Sequence, residues 1–311
     1  MFGCAPTGGN SLSISREAAA KSKSAKSINT DNMFSVKLNN GVEMPAIGFG
    51  TWAIADGSDV VEAVKTAIEC GFRHIDTASF YKNEEGVGRG IAQSGISRGN
   101  LWVTTKVWPT ETGYDNTLRA FDASLKRLGI DYIDLYLIHW PATASQYSDW
   151  RERNLDTWRA FERLYADGRV RTIGVSNFLA SHLQPLIDSC KVRPMVDQLE
   201  IHPGYRQADD VAFCQANGIQ VEAWSPFGRG SAFKSEELRQ LAAKYGRTVA
   251  QVCVAWCLQK HIVPLPKSVT PERMKENLDA ADFKLSESDI AMIDQLANFG
   301  WSGQHPDEVK F

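Results

Sequence analysis

From Phe34 onward, short apolar runs alternate with stretches in which apolar residues recur every three or four positions. The runs at 46–50, 73–77, 101–107, 133–139, 172–176, 195–200, 220–224 and 262–266 are too uniformly apolar for strands with one wet face. Their shortness and their flanking Gly or Pro predict strands covered on both faces, as in a parallel α/β sheet. A hairpin is predicted ahead of them, from 34–38 through Asn39-Asn40-Gly41 to 42–44, because Asn-Gly supplies the positive φ angles of a tight turn. Between the runs lie helices with start and stop signals. Ser58 reads as the cap of a helix that buries Val60, Val61, Val64 and Ile68 and stops at Gly71. After Thr112, Leu118, Phe121, Leu125 and Leu128 share one face up to Gly129, and Trp158, Phe161, Leu164 and Tyr165 do so up to Gly168. Thr248 opens a further helix through Val252, Ala255 and Trp256. Eight strands with interleaved helices over about 265 residues predict a (β/α)8 TIM barrel, with the hairpin closing its bottom.

Residues 1–32 are rich in Ser, Ala, Lys and Gly and lack hydrophobic period, which predicts a flexible N-terminal extension ahead of a barrel domain over 33–311. Arg16, Lys21, Lys23 and Lys26 outnumber Glu17 and Asp31 there, a bias shared with organellar transit peptides. A single Arg and no amphipathic helix favour an untargeted tail instead. Over the whole chain, 34 Lys and Arg oppose 37 Asp and Glu, and the net charge of −3 speaks against a nucleic-acid partner. No apolar run approaches the ~20 residues of a membrane span. The six cysteines form no CxxC pair, so neither a disulfide framework nor a zinc ribbon is indicated. A cytoplasmic monomer acting on a small molecule is expected.

In such a barrel, chemistry belongs at the carboxyl ends of the strands. Four titratable side chains gather there: Asp76, Tyr81 five residues on, Lys106 and His139. Singly, each has a structural explanation as turn cap, loop packing, solvated charge or core histidine. Lys106, however, stands in the apolar run between Val103 and Trp108, where an unpaired ammonium is costly, so it should seek a carboxylate, and Asp76 is the nearest candidate. An ammonium beside a tyrosine stabilises the phenolate and lowers its pKa from ~10. Tyr81 could then protonate a carbonyl oxygen, hydrogen-bonded by His139, while a hydride reaches the carbon. A rival metal-dependent hydrolysis using His74, His139 and His202 lacks any H-x-H or H-E-x-x-H pair, so no metal is expected.

The constellation resembles the aldo-keto reductase family. Gly71 to Glu84 looks like the family's first signature, and Asp76, Tyr81, Lys106 and His139 fall on its catalytic tetrad, with Tyr81 as the acid. Asp134 to Pro141, Ile173 to Phe178, and Leu265 to Ser268 followed by Arg273, Glu276 and Asn277 agree further. The resemblance spans about 34–301 and looks closest to the microbial and protist branch of 2,5-diketo-gluconate reductases and prostaglandin F synthases. It implies NADPH as cofactor and reduction of aldehydes and ketones to alcohols. Gly48-Phe-Gly50-Thr-Trp-Ala53 fits G-x-G-x-x-A, but the next helix begins only after Ser58, so it is a decoy and its glycines suit a tight strand end.

Instead, the resemblance implies a cofactor across the barrel mouth. Ser176, Asn177 and Gln198 would hold its carboxamide, Trp224 would stack on its ring, and Ser225, Phe227 and Gly228 would pass over its pyrophosphate. Lys267, Ser268, Val269, Thr270 and Arg273 match the 2′-phosphate pocket, Glu276 and Asn277 the adenine edge, and Thr51 and Trp52 further contacts. Two cations near a helix start oppose its dipole and favour an anionic ligand. Substrate would meet Trp52, Tyr81, Trp108, His139 and Trp140, with Trp301 a further candidate, while Trp150, Trp158 and Trp256 read as packing. The loop after 220–224 reaches the next helix near Lys234 or Ser235, short enough to leave the pocket open to a range of carbonyl compounds.

Overall fold

The protein is described by a computed structural model that covers Met1, Gly3 and residues 34–310. The features predicted elsewhere in 1–32 lie outside the described residues. Eight parallel strands run in the order of the chain: β3 (Phe49–Gly50), β4 (His74–Asp76), β5 (Trp102–Val107), β6 (Ile133–Ile138), β7 (Val170–Ser176), β8 (Val196–Glu200), β9 (Gln220–Trp224) and β10 (Ile262–Pro264). The sheet closes on itself, because Gly48 N donates to Pro264 O at 3.0 Å and Gly50 N to Pro266 O at 3.2 Å. Glycine matters at this seam. A Cβ on Gly48 would stand 2.4 Å from Leu265 Cδ2 and 2.9 Å from His74 Nδ1. The decoy motif therefore serves barrel closure, and no helix opens at it.

The α-helices among the described residues are α1 (Ser58–Cys70), α2 (Glu84–Gln93), α3 (Tyr114–Leu128), α4 (Trp150–Ala166), α5 (Ala180–Ser189), α6 (Ala208–Ala216), α7 (Glu236–Tyr245), α8 (Val249–Gln259), α9 (Pro271–Leu278) and α10 (Glu287–Asp294). Thr248 caps α8 as predicted, in a capping box with Gln251, and Gly71 and Gly129 end α1 and α3 in the left-handed conformation. Ser58 corrects the prediction. It is the first helical residue, its hydroxyl meets Asp59 Oδ1, and the cap is Gly57 at φ 98°.

The hairpin β1 (Ser35–Lys37) and β2 (Glu43–Pro45) does cover the bottom. Leu38 and Met44 are buried in the core, and Asn39 and Asn40 donate to Pro194 O and Arg171 O, beside the amino ends of β8 and β7. The opposite end, where the strands finish, is left to the βα loops. No helix among the described residues is long and apolar enough to cross a membrane.

Candidate active site

The ends of β4, β5 and β6 bring the four predicted titratable residues together. Lys106 Nζ, fully buried, donates to Asp76 Oδ1 and Oδ2 at 2.7 and 2.8 Å, to Thr77 O at 2.9 Å and to Tyr81 OH at 3.3 Å. Backbone geometry places them: Thr51 N and Oγ1 both donate to Asp76 O, fixing the end of β4. A 3-10 turn (Ser79–Tyr81) then carries Tyr81 back over the strand ends, and Ser79 Oγ ties that turn to Lys106 O at 3.1 Å. His139 follows β6 directly, and its ring stands edge-on to Tyr81 with centroids 5.6 Å apart.

Electrostatics departs from the sequence argument at one point. Lys106 does pull the Tyr81 phenol down, but burial outweighs it and Asp76 adds to burial, so the phenol titrates above its usual range. The proton therefore stays on Tyr81 at neutral pH, the state a proton donor needs. Burial works against the Lys106 charge as well, yet Asp76 and Tyr81 together raise its pKa and keep it an ammonium. His139 is pushed well down by burial and by Lys106, which keeps its imidazole neutral. Its Nδ1 has no hydrogen-bond partner among the described residues.

These groups line a cleft of about 670 Å³ that also receives Ser176, Asn177, Gln198, Trp224 and Ser225 from the ends of β7, β8 and β9. Hydrogen bonds join these polar groups across strands. Ser176 Oγ donates to Gln198 O, Asn177 Nδ2 to His139 O and Ser176 Oγ, Trp224 Nε1 to Asn177 Oδ1, and Gln198 Nε2 to Asp76 Oδ2 and Glu222 Oε2. The donors are engaged within the protein, and the lone pairs left over are acceptors. Ala53, Ser225 and Arg229 line the same cleft at φ of 59°, 50° and 52°, a left-handed conformation that residues other than Gly and Asn resist. Such strain concentrates where a ligand is gripped.

Residues 46–298 match the sequence model of the Aldo/keto reductase family. The chain belongs to that family. It is 48% identical over 276 residues to glyoxal reductase of Bacillus subtilis, covering 89% of this chain and 97% of that protein. Against 9,11-endoperoxide prostaglandin H2 reductase of Trypanosoma cruzi it is 46% identical over 275 residues, covering 88% and 94%. An aldo-keto reductase of Bombyx mori solved in complex with NADP superposes with a TM-score of 0.78 at 36% identity, covering 85% of this chain and 92% of that one.

In this aldo-keto reductase the remaining predicted site residues divide into two groups. Trp52, Trp108, Trp140, Phe227 and Lys267 line the cleft. Phe80, which sequence reasoning passed over, lines it too and links two of those rings, stacked on Trp108 at 3.7 Å and on Trp52 at 5.9 Å. Thr51 is fully buried with its hydroxyl on Asp76 O, and Gly228, at φ 54°, abuts the His202 ring. Trp301 stacks on Tyr205 at 6.1 Å, outside the cleft, and the tail residue facing the cleft is Gln304. Trp158 and Trp256 are core residues, as read from sequence. Around α9, Ser268 and Thr270 hydrogen-bond each other, Val269 is exposed, Asn277 is buried, and Glu276 accepts from the Thr248 hydroxyl. Lys267 and Arg273 are exposed and form no ion pair among the described residues. Sequence reasoning also missed Glu222, although a lone acid inside an apolar strand is the same signal that drew attention to Lys106.

Proposed function

We propose that this NADP-dependent aldo-keto reductase reduces aldehydes and ketones to alcohols with Tyr81 as general acid. The observation that carries this is the fully buried Lys106 ammonium, held by both Asp76 oxygens and reaching Tyr81 OH at the wall of the cleft. When bound, NADPH supplies the hydride that adds to the carbonyl carbon. Tyr81 gives its phenolic proton to the carbonyl oxygen, Lys106 stabilises the phenolate left behind, and neutral His139 hydrogen-bonds the same oxygen. The products are an alcohol and the oxidised cofactor, so hydride and proton together balance the reduction.

The cleft fits the cofactor. Its acceptor-rich polar set at Ser176, Asn177 and Gln198 suits a carboxamide that brings its own N–H groups, and Trp224 offers a ring face. Lys267 and Arg273 stand at the start of α9 without carboxylate partners among the described residues, ready for a 2′-phosphate with Ser268, Val269 and Thr270. Carbonyl substrates would lie against the Trp52–Phe80–Trp108 stack and Trp140, with Tyr81 and His139 at its inner end. A 3-10 segment (Gly228–Lys234) leads from β9 to α7 with no long covering loop, which supports a broad range of carbonyl compounds; dicarbonyls of the glyoxal type are the first to test, and a prostaglandin endoperoxide, whose O–O bond would have to take the hydride at oxygen, is a separate reaction to test beside them.

Steady-state kinetics with both cofactors tests the phosphate pocket. A hydrogen bond to a charged group contributes about 1.5–3 kcal/mol, so Lys267→Ala with Arg273→Ala should raise KM for NADPH by roughly tenfold or more and leave that for NADH nearly unchanged. Equal catalytic efficiency of the native enzyme with NADPH and NADH contradicts the assignment.

A further inference from the structure

β9 carries a carboxyl group that the chemistry above does not use. Glu222 lies between Val221 and Ala223 and is fully buried, where an acid needs partners. Its Oε2 accepts from Gln198 Nε2 at 2.8 Å, and its Oε1 has no hydrogen-bond partner among the described residues. His74 Nε2 stands 3.8 Å from Oε1, too far for a hydrogen bond, and pairs with Thr104 Oγ1 at 3.0 Å instead. Burial, reinforced by the Asp76 charge, pushes the Glu222 carboxyl up to about 8, so it sits neutral beside the Asp76–Lys106 pair near pH 7.

The partner explains the placement. Gln198 Nε2 also donates to Asp76 Oδ2 at 2.9 Å. A side-chain amide nitrogen has two hydrogens, so both are held, one by each carboxyl group. With Asp76 alone, the amide could turn about its last torsion and offer its second N–H to the cleft. With Glu222 as well, the amide plane is fixed and Oε1 is the hydrogen-bonding atom Gln198 has left.

We infer that Glu222 is a positioning residue of this reductase: by holding the second amide hydrogen of Gln198 it makes Oε1 of that residue an obligate acceptor for the N–H of the nicotinamide carboxamide. The inference rests on the cofactor assignment made above. Asn177 points the same way, since both its Nδ2 contacts are within the protein, to His139 O and Ser176 Oγ. On this account the site selects a carboxamide by its N–H donors and turns away a ring substituent that can only accept.

The test compares binding of NADP+ with that of its 3-acetylpyridine analogue, whose acetyl group has no N–H, by quenching of tryptophan fluorescence. One hydrogen bond gives a preference of about three- to tenfold for NADP+ in the native protein. Glu222→Gln retains an acceptor for Gln198 and keeps the preference. Glu222→Leu raises the Kd for NADP+ by that factor, leaves the analogue within about twofold, and so abolishes the preference. Glu222→Asp, which withdraws the carboxyl by one methylene, gives the same loss if Glu222→Leu does not fold. A full preference retained in Glu222→Leu or Glu222→Asp, or lost in Glu222→Gln, overturns the inference while leaving the cofactor assignment intact. A native protein that binds neither nucleotide overturns both.

Discussion

Lys106 shows what one residue can decide. A buried ammonium demands a counter-charge, and meeting that demand with Asp76 leaves Nζ within reach of the Tyr81 hydroxyl. The demand was legible in sequence because Lys106 interrupts an apolar run. Its effect on the phenol was not, since the sign depends on how deeply Tyr81 is buried, which only the packing of the turn after β4 sets. Two other buried groups at this scale make stability depend on pH in opposite senses. Burial lowers His74 from 6.5 to about 3, so between these values the unfolded chain binds a proton that the folded one does not. Stability therefore falls as pH drops through that window. Glu222 is raised from 4.5 to about 8, so the folded chain holds the extra proton and stability falls as pH rises from 4.5 through 8. Urea unfolding against pH should show both slopes, and Glu222→Gln should make the alkaline one shallower, leaving the share of the buried Asp197 carboxyl, which burial also raises, and should not change the acid one. An unchanged alkaline slope in that variant would show that Glu222 does not titrate as described.

Elements were legible where a single physical signal was strong. Fully covered strands read as apolar runs, and β5, β6 and β8 fall within a residue or two of their predicted limits. Thr248 announces α8 through its capping box, although α8 is buried nearly all round and shows no amphipathic face. Where signals compete, the prediction slips. Gly57 caps α1 in place of Ser58 because the chain enters at φ 98°, a conformation open to glycine and closed to serine. Helix α5 carries Pro185 within it and α6 opens with two acids, so neither presents a clean apolar face from which to draw its limits. The barrel seam is also an element-scale matter. Gly48→Ala would drive a methyl group against Leu265 and His74, so it should destabilise the fold by about 1–3 kcal/mol in urea unfolding. A neutral result would mean that β3 and β10 can separate without cost.

At the scale of the whole molecule, the fold gathers what the chain separates. Gln198 and Asp76 are 122 positions apart, and Gln198 and Glu222 are 24 apart, yet all three meet inside the barrel. Contacts of this kind leave no local trace, which is why the gathering of Asp76, Tyr81, Lys106 and His139 could be read from strand ends while the Gln198–Glu222 link could not. The tail makes a similar connection across the top. Ser302 donates to both oxygens of Glu200, Phe299 N to Gly204 O, and Asp307 meets His182, so the chain end is tied to β8 and to α5 while Gln304 reaches the cleft. Closure, tail and loops together hold Tyr81 at the wall of one cleft that the tail also lines through Gln304. The most direct measurement follows NADPH absorbance with a panel of aldehydes and ketones for the native chain and Tyr81→Phe, alongside NADPH binding. Loss of general acid catalysis predicts a fall in kcat of about 10²–10⁴-fold with NADPH affinity retained. Turnover near the native rate in Tyr81→Phe would contradict the account.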